Sequence, residues 1–308
     1  MTYNVDRPRG VYAATLTPFT SELEPDRAAF LAHCRWLLKN GCDGLAPFGT
    51  TGEGVSMTGE QKTELIEALA DDGAPMARII PGTGVCALGD AVRIARVAAS
   101  HNCEGVLCLP PYYYKNPSED GLFAFFSELI QRVGDPALRL YLYNFPQMSA
   151  TPVTLQLTAR LIDAYPGAIA GIKDSSGDWS NTAAFIKEFA GLQVFSGSEK
   201  FLLDNLTAGG AGCISATTNV LAQPARDVYL AWEEDAKTAP TLQEKLSAAR
   251  LKLQEFPMVA ALKHIKSHIG RSPAWENMLP PWTPLSVDGK RQLERAVADI
   301  EHIGFKLL

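Results

Sequence analysis

Lys173 is the residue around which chemistry can be organised in this sequence. It closes the apolar run Ala168-Ile169-Ala170-Gly171-Ile172 and is followed by Asp174. A lysine amine is nucleophilic only when neutral, and a poorly solvated setting favours that form. Such an amine condenses with a ketone to an iminium, an electron sink for a carbanion on the neighbouring carbon. The plainer alternative is a solvated lysine at a strand end, balanced by Asp174. Tyr143, at the end of the preceding apolar run, offers a phenol that can carry protons beside an amine or iminium. Upstream, Gly49-Thr50-Thr51-Gly52-Glu53 supplies two hydroxyls and several backbone N–H groups suited to a carboxylate or phosphate. A tight turn with Thr51 as a cap is the competing reading. Tyr112-Tyr113-Tyr114 cannot all face a core, so at least one belongs to a site or a subunit contact.

These residues fall at the ends of short apolar runs that read as strands: Gly10–Thr17, Asp43–Phe48, Arg78–Pro81, Glu104–Leu109, Leu138–Asn144, Ala168–Lys173, Gln193–Gly197 and Gly212–Ala216. Each is nearly all apolar, as a strand covered on both faces must be, with Gly or Pro at many boundaries. Between them, helical spacing recurs over Asp26–Lys39, Thr58–Ala70, Gly89–Ser100, Ser118–Arg132, Thr154–Ala164, Ser180–Phe189 and Glu199–Ala208. Eight strands alternating with helices predict an α/β fold, a (β/α)8 TIM barrel, with chemistry at the C-terminal ends of its strands. An open doubly wound sheet is the alternative. It would announce a Gly-rich first turn, whereas here the first run leads into Thr17-Pro18-Phe19.

Beyond residue 220 the strand signal disappears. Val220–Ala236, Thr241–Glu255, Met258–Ile269 and Ser286–Ile303 read as helices separated by prolines. The expected organisation is a catalytic barrel over residues 1–236 and a C-terminal helical appendage over 237–308. The polar clusters after strands two, four, five and six would share one rim. The glycine-rich turn lacks the G-x-G-x-x-G order of a dinucleotide site, and no G-K-[ST] follows it as in a P-loop.

The chain has 308 residues, 46% hydrophobic and 20% charged, with 28 Lys+Arg against 34 Asp+Glu and a net charge of −6. That composition suits a globular protein and not a disordered one. The acidity argues against a nucleic-acid partner, and no window approaches the roughly 20 apolar residues of a membrane span. The start, MTYNVDRPRG, has no apolar core of a signal peptide. A cytoplasmic protein is expected. The six cysteines form no C-x-x-C pair, and most sit among apolar neighbours, as reduced core residues do.

In order and spacing, G-T-T-G-E, P-P-Y-Y, Y-N-x-P and G-I-K-D resemble the dihydrodipicolinate synthase/N-acetylneuraminate lyase family across essentially the whole chain. The resemblance implies a (β/α)8 barrel with a C-terminal helical domain, commonly a homotetramer of two tight dimers. It also implies cofactor-free class I lyase or aldolase chemistry on pyruvate or a 2-keto acid held as a Schiff base. By the same likeness, Lys173 would form the Schiff base and Tyr143 would act as acid/base. Thr50 and Thr51 would hold the carboxylate, with Thr51 also bonded into the proton relay. Tyr113 would reach across the tight-dimer interface, and Gly197 and Ile214 would line the pyruvate pocket.

One departure bears on the substrate. Dihydrodipicolinate synthases usually follow Y-N-x-P with Ser-Arg, whereas Gln147-Met148-Ser149-Ala150 stands here. Met148 cannot grip a carboxylate as an arginine does. The sequence therefore resembles more closely the branches acting on 2-keto-3-deoxy sugar acids or 4-hydroxy-2-oxo acids. Dihydrodipicolinate synthase chemistry is the alternative, should an arginine from another segment substitute. A non-catalytic keto-acid-binding barrel is a further alternative, weakened by the presence of both Lys173 and Tyr143.

A metal-dependent aldolase would need a His/Asp/Glu cluster at the rim, and none of His33, His101, His264, His268 and His302 falls at an expected strand end. His264 and His268 have the i, i+4 spacing of a zinc pair, but Lys263 and Lys266 surround them and no Glu lies between. A structural or solvated pair is expected there, and neither metal nor cofactor in the site.

Overall fold

The computed structural model describes residues 8–270, 272–302 and 304–305. Seven short strands form one sheet: β1 (Gly10–Ala13), β2 (Gly44–Leu45), β3 (Val106–Cys108), β4 (Leu140–Asn144), β5 (Ile169–Asp174), β6 (Gln193–Ser196) and β7 (Gly212–Ser215). Their order is β2-β1-β7-β6-β5-β4-β3, and every pairing is parallel. Nearly every residue of these strands is buried, which accounts for their largely apolar sequences.

The expected strand Arg78–Pro81 is the exception. A 3-10 turn, Met76–Arg78, occupies its start, and Pro81 has no N–H to give to a ladder. The segment that follows still connects the two edges of the curled sheet. Ile80 N–H donates to the Leu45 carbonyl (2.8 Å) and Gly82 N–H to that of Pro47 (2.8 Å). On the other side, Leu107 N–H donates to the Pro81 carbonyl (2.9 Å). Pairing here consists of isolated bridges, Leu45↔Ile79 and Gly82↔Leu107.

Side chains on the inner face, among them Tyr12, Ile80, Leu107, Tyr141, Tyr143, Phe195 and Ile214, form a closed aromatic and aliphatic cluster. Gly171 makes room for it: a Cβ there would lie 2.6 Å from the Tyr141 ring. The outer face packs against helices whose ends are set by local chemistry. Thr58 and Gln61 form a reciprocal capping box at Gly59–Asp71, and Ser118 caps Glu119–Val133, which stops at Gly134 in the left-handed conformation.

The helix Thr218–Glu233 starts two residues earlier than its hydrophobic pattern suggests and is kinked at Leu221, where Pro224 interrupts the bonding. The buried Asn219 side chain fixes its start. Asn219 Oδ1 accepts from Leu16 N–H (3.0 Å), and its amide donates to the Ala14 carbonyl (2.8 Å). The remaining helices, Ala239–Gln254, Met258–Ile269 and Val287–His302, share one core with the first and last strands. Leu246, Leu262 and Leu293 pack in a single cluster with Val11 and Cys213. The cysteines are all unpaired; four are buried and Cys86 and Cys103 are half-buried. Burial pushes the thiol pKa of Cys34, Cys42, Cys103, Cys108 and Cys213 upward, as expected of core residues.

Candidate active site

The parallel register places Tyr143 of β4 level with Lys173 of β5, and Lys173 level with Phe195 of β6. Alternation along each strand then turns Tyr143 and Lys173 to the inside and Asp174 to the other face. Asp174 is fully occupied there. It accepts from Asn144 Nδ2 (2.8 Å), Ser176 Oγ (2.9 Å) and Thr182 Oγ1 (2.6 Å). The balancing role that sequence alone allowed for Asp174 is therefore not realised. Lys173 is 4% exposed and, among the described residues, has no carboxylate within ion-pairing distance. Its Nζ lies 3.5 Å from Tyr143 Oη and 4.4 Å from the centre of the Tyr143 ring.

A cavity of about 490 Å³ opens above this pair. Thr50, Thr51, Tyr143, Met148, Lys173 and Gly197 all line it, so six of the residues singled out in the sequence meet at one place. Thr50 Oγ1 is 3.4 Å from Tyr143 Oη. Thr51 faces the cavity without bonding to Tyr143 among the described residues, so the hydroxyl beside the phenol is that of Thr50, not Thr51. The cause is the turn itself, closed by Gly52 and Gly54 N–H donors to the Gly49 carbonyl and by Glu53 N–H to that of Thr50. Successive side chains in so tight a turn diverge. The N–H groups of Thr50 and Thr51 make no hydrogen bond among the described residues and remain available to a ligand.

Gly197 is required for space, since a Cβ there would run into Ser175. Ile214 sits deeper, level with Tyr12 inside the sheet, and does not reach the cavity surface. Tyr113 lies outside the cavity of its own chain. It is 73% exposed and packs edge-on against the equally open Tyr114, whereas Tyr112 is half-buried against the inner cluster.

Sequence reasoning left Arg250 unassigned. It projects from the helix Ala239–Gln254 into the cavity wall, where its Nη1 bonds Thr217 Oγ1 (3.2 Å) and lies 3.8 Å from the buried Glu199 carboxylate. Met258, Val259 and Trp282 also line the cavity, so the C-terminal helices complete it. Within a helix far from the motifs, Arg250 carries no local signal that could have marked it.

Behind the Thr50–Thr51 turn is a second buried lysine. Lys263, fully buried, forms an ion pair with Glu53 and donates to the Asn277 carbonyl (2.8 Å). Glu53 also accepts from Leu279 N–H (2.7 Å) and holds a left-handed backbone, φ 56°. Burial pushes the Glu53 carboxyl up and the Lys263 amine down, and each partner opposes the other's shift. This pair ties the turn to the C-terminal helices.

The sequence profile of the Dihydrodipicolinate synthetase family matches residues 7–300. An uncharacterized DapA-like lyase of Chloroflexus aurantiacus is 34% identical over 257 residues, 83% of this chain and 85% of that protein. Among solved structures, dihydrodipicolinate synthase from Agrobacterium tumefaciens is 34% identical with a TM-score of 0.86, covering 94% of this chain and 99% of that one. The 2-keto-3-deoxygluconate aldolase of Sulfolobus, solved with D-KDPG, is 25% identical with a TM-score of 0.85, covering 95% and 96%. The class is that of carbon–carbon lyases of the aldolase type. Within it, the chain belongs to the dihydrodipicolinate synthetase family. Among the described residues, no helix is long and apolar enough to cross a membrane.

Proposed function

We propose that Lys173 forms a Schiff base with the C2 carbonyl of pyruvate or a 2-keto acid, and that the enzyme makes or breaks the C3–C4 bond of a 2-keto-3-deoxy sugar acid or 4-hydroxy-2-oxo acid. The observation that carries this reading is a buried amine that has no carboxylate partner among the described residues and faces a phenol 3.5 Å away inside a cavity. In the cleavage direction the amine adds to C2 and the carbinolamine loses water to give an iminium. Tyr143 gives its proton to the departing hydroxyl as that water leaves, and the phenolate so formed takes the proton from the C4 hydroxyl. The C3–C4 bond then breaks, its electron pair moving into the iminium to leave an enamine, and an aldehyde departs. Protonation at C3 and hydrolysis release pyruvate and the free lysine. The free N–H groups and hydroxyls of Thr50 and Thr51 suit the substrate carboxylate.

The barrel reading accompanies this function. Bridges from 79–82 to both edge strands support closure into a (β/α)8 barrel over residues 1–236, with 237–308 as the helical appendage that walls the site. A homotetramer, with Tyr113 entering the neighbour's cavity, is supported by the exposed Tyr113–Tyr114 pair. Unpaired cysteines support a cytoplasmic setting. A second reading, condensation of pyruvate with aspartate semialdehyde, is favoured by Arg250, which offers a guanidinium where Met148 offers none.

Incubation with pyruvate and borohydride, followed by intact-mass analysis and peptide mapping, tests the chemistry. One reduced adduct on Lys173 is expected, and the same trap with 2-keto-3-deoxy acids and an aldehyde screen then ranks the substrates. Absence of any adduct with pyruvate and with every 2-keto acid tried would overturn the Schiff-base mechanism.

A further inference from the structure

The helix Met258–Ile269 carries His264 and His268 on one face, with ring centres 4.5 Å apart. The final helix, Val287–His302, brings Glu294 to that face, a residue too distant in sequence to have been grouped with the histidines. Ligand atoms of the three residues lie within 4.8 Å of one another. His264 Nε2 and His268 Nε2 stand 3.6 and 4.0 Å from Glu294 Oε1.

Both rings are oriented by bonds on their other nitrogen. His264 Nδ1 is 2.7 Å from Glu276 Oε1, and His268 Nδ1 is 3.0 Å from the His264 carbonyl. A carbonyl only accepts, so His268 Nδ1 carries the proton; the carboxylate fixes His264 in the same sense. With both rings neutral, each Nε2 presents a lone pair toward the same carboxylate oxygen. His264 is 5% exposed, and among the described residues its Nε2 has no hydrogen-bond partner. Two lone pairs and an anion around one small space repel each other, and a cation between them removes the conflict. A carboxylate or carbonyl holding the far nitrogen of each ring is the usual outer support of a metal-bound histidine.

The lysines that flank this pair in sequence do not compete. Lys263 is committed to Glu53, and Lys266 lies over the Trp36 ring at 3.9 Å. Lys290 is paired with Glu276, the outer carboxylate, and not with Glu294.

We propose that His264, His268 and Glu294 form a binding site for one divalent cation of the zinc class, with two imidazole nitrogens and one carboxylate oxygen as ligands. Bond lengths of about 2.0–2.2 Å to such an ion put tetrahedral ligand atoms about 3.4 Å apart, so the two histidine–Glu294 separations of 3.6 and 4.0 Å close by less than an ångström and the widest separation, within 4.8 Å, by no more than about 1.4 Å. The ion would clamp the last helix onto Met258–Ile269, whose first residues wall the catalytic cavity. It lies outside that cavity and takes no part in the lysine chemistry.

Metal-stripped protein titrated with Zn²⁺, and separately with Co²⁺ followed by visible absorption, tests the site directly. Wild-type protein is expected to take up one equivalent, to develop the cobalt ligand-field bands and to melt at higher temperature with Zn²⁺. His268→Ala and Glu294→Gln, both at partly exposed positions, should each lose that equivalent, the bands and the melting shift. Glu276→Gln should keep the site with roughly 10- to 100-fold weaker affinity, as loss of an outer-shell partner does. Uptake that is absent in wild type, or unchanged in His268→Ala and Glu294→Gln, would overturn the proposal and leave Glu294 as an ion-pair partner of protonated histidine.

Discussion

Two buried lysines on the two sides of the Thr50–Thr51 turn make a natural experiment. Lys173 and Lys263 both lie under an aromatic ring with Nζ 4.4 Å from its centre, Tyr143 in one case and Phe19 in the other. Both are largely out of water, at 4% and 0% exposure. What differs is the company of the amine. Lys263 has the Glu53 carboxylate and the Asn277 carbonyl, so its charge is matched and two of its three donors are engaged. Lys173 has a phenol at 3.5 Å and an open cavity. Burial alone does not make a lysine a reagent. An amine becomes available to a carbonyl carbon where the protein withholds the counter-ion and leaves room for substrate.

The comparison can be broken most sharply at Lys173. Lys173→Ala should abolish both turnover and borohydride trapping while leaving the melting temperature within a few degrees of wild type; a trapped adduct in this variant would place the chemistry elsewhere. Tyr143→Phe should retain the adduct but slow turnover by roughly 10²- to 10⁴-fold, the range for loss of a positioned acid/base. Steady-state and single-turnover rates separate that loss from weaker binding. On the other side of the turn, Lys263→Met should do the reverse. It leaves the Glu53 carboxylate buried without a partner, at a cost of about 3–5 kcal/mol in urea unfolding, yet the folded enzyme should still be trapped at Lys173. Adding Glu53→Gln to that variant should recover part of the loss.

The smallest effect concerns a buried histidine, His33, whose pKa burial lowers to about 3, with the nearby Lys266 charge adding to the shift. A histidine held neutral in the fold but free to protonate when unfolded supports stability fully above its ordinary pKa of 6.5. That contribution is lost progressively as pH falls from there toward 3. Unfolding free energies measured between pH 7 and pH 4 should therefore fall more steeply, by up to one proton, in wild type than in His33→Gln.

Much of the site was legible because the ends of parallel strands carry it. Lys173, Tyr143 and the Thr50–Thr51 turn each follow an apolar run, and such runs are easy to find when both faces of a strand are covered. The boundaries were less so. The apolar pattern over Gly10–Thr17 continues past the last ladder bond of β1, because buried loop residues such as Leu16 are as apolar as strand residues. Arg78–Pro81 had the composition of a strand, but a 3-10 turn takes its start and Pro81 lacks an N–H. Contacts between distant segments left no local trace at all. Glu53 meets Lys263, Arg250 reaches the cavity, and Glu294 faces two histidines only because the C-terminal helices pack where they do. The choice between Thr50 and Thr51 beside Tyr143 was set by turn geometry, which residue type does not reveal.

The sheet order has a consequence for how the chain is made. β1 lies between β2 and β7, and residues 10 and 212 are paired partners. A ribosome releases β1 first, so this strand gains β2 early but keeps an open edge until most of the chain has been synthesised. The Asn219 bonds to Ala14 and Leu16 arrive later still. Contacts of such long sequence separation form slowly, and an unpaired strand edge invites wrong partners in the interval. A nascent chain halted before residue 212 would therefore hold Lys173 and Tyr143 in an unfinished sheet, dependent on protection from aggregation until β7 closes over β1.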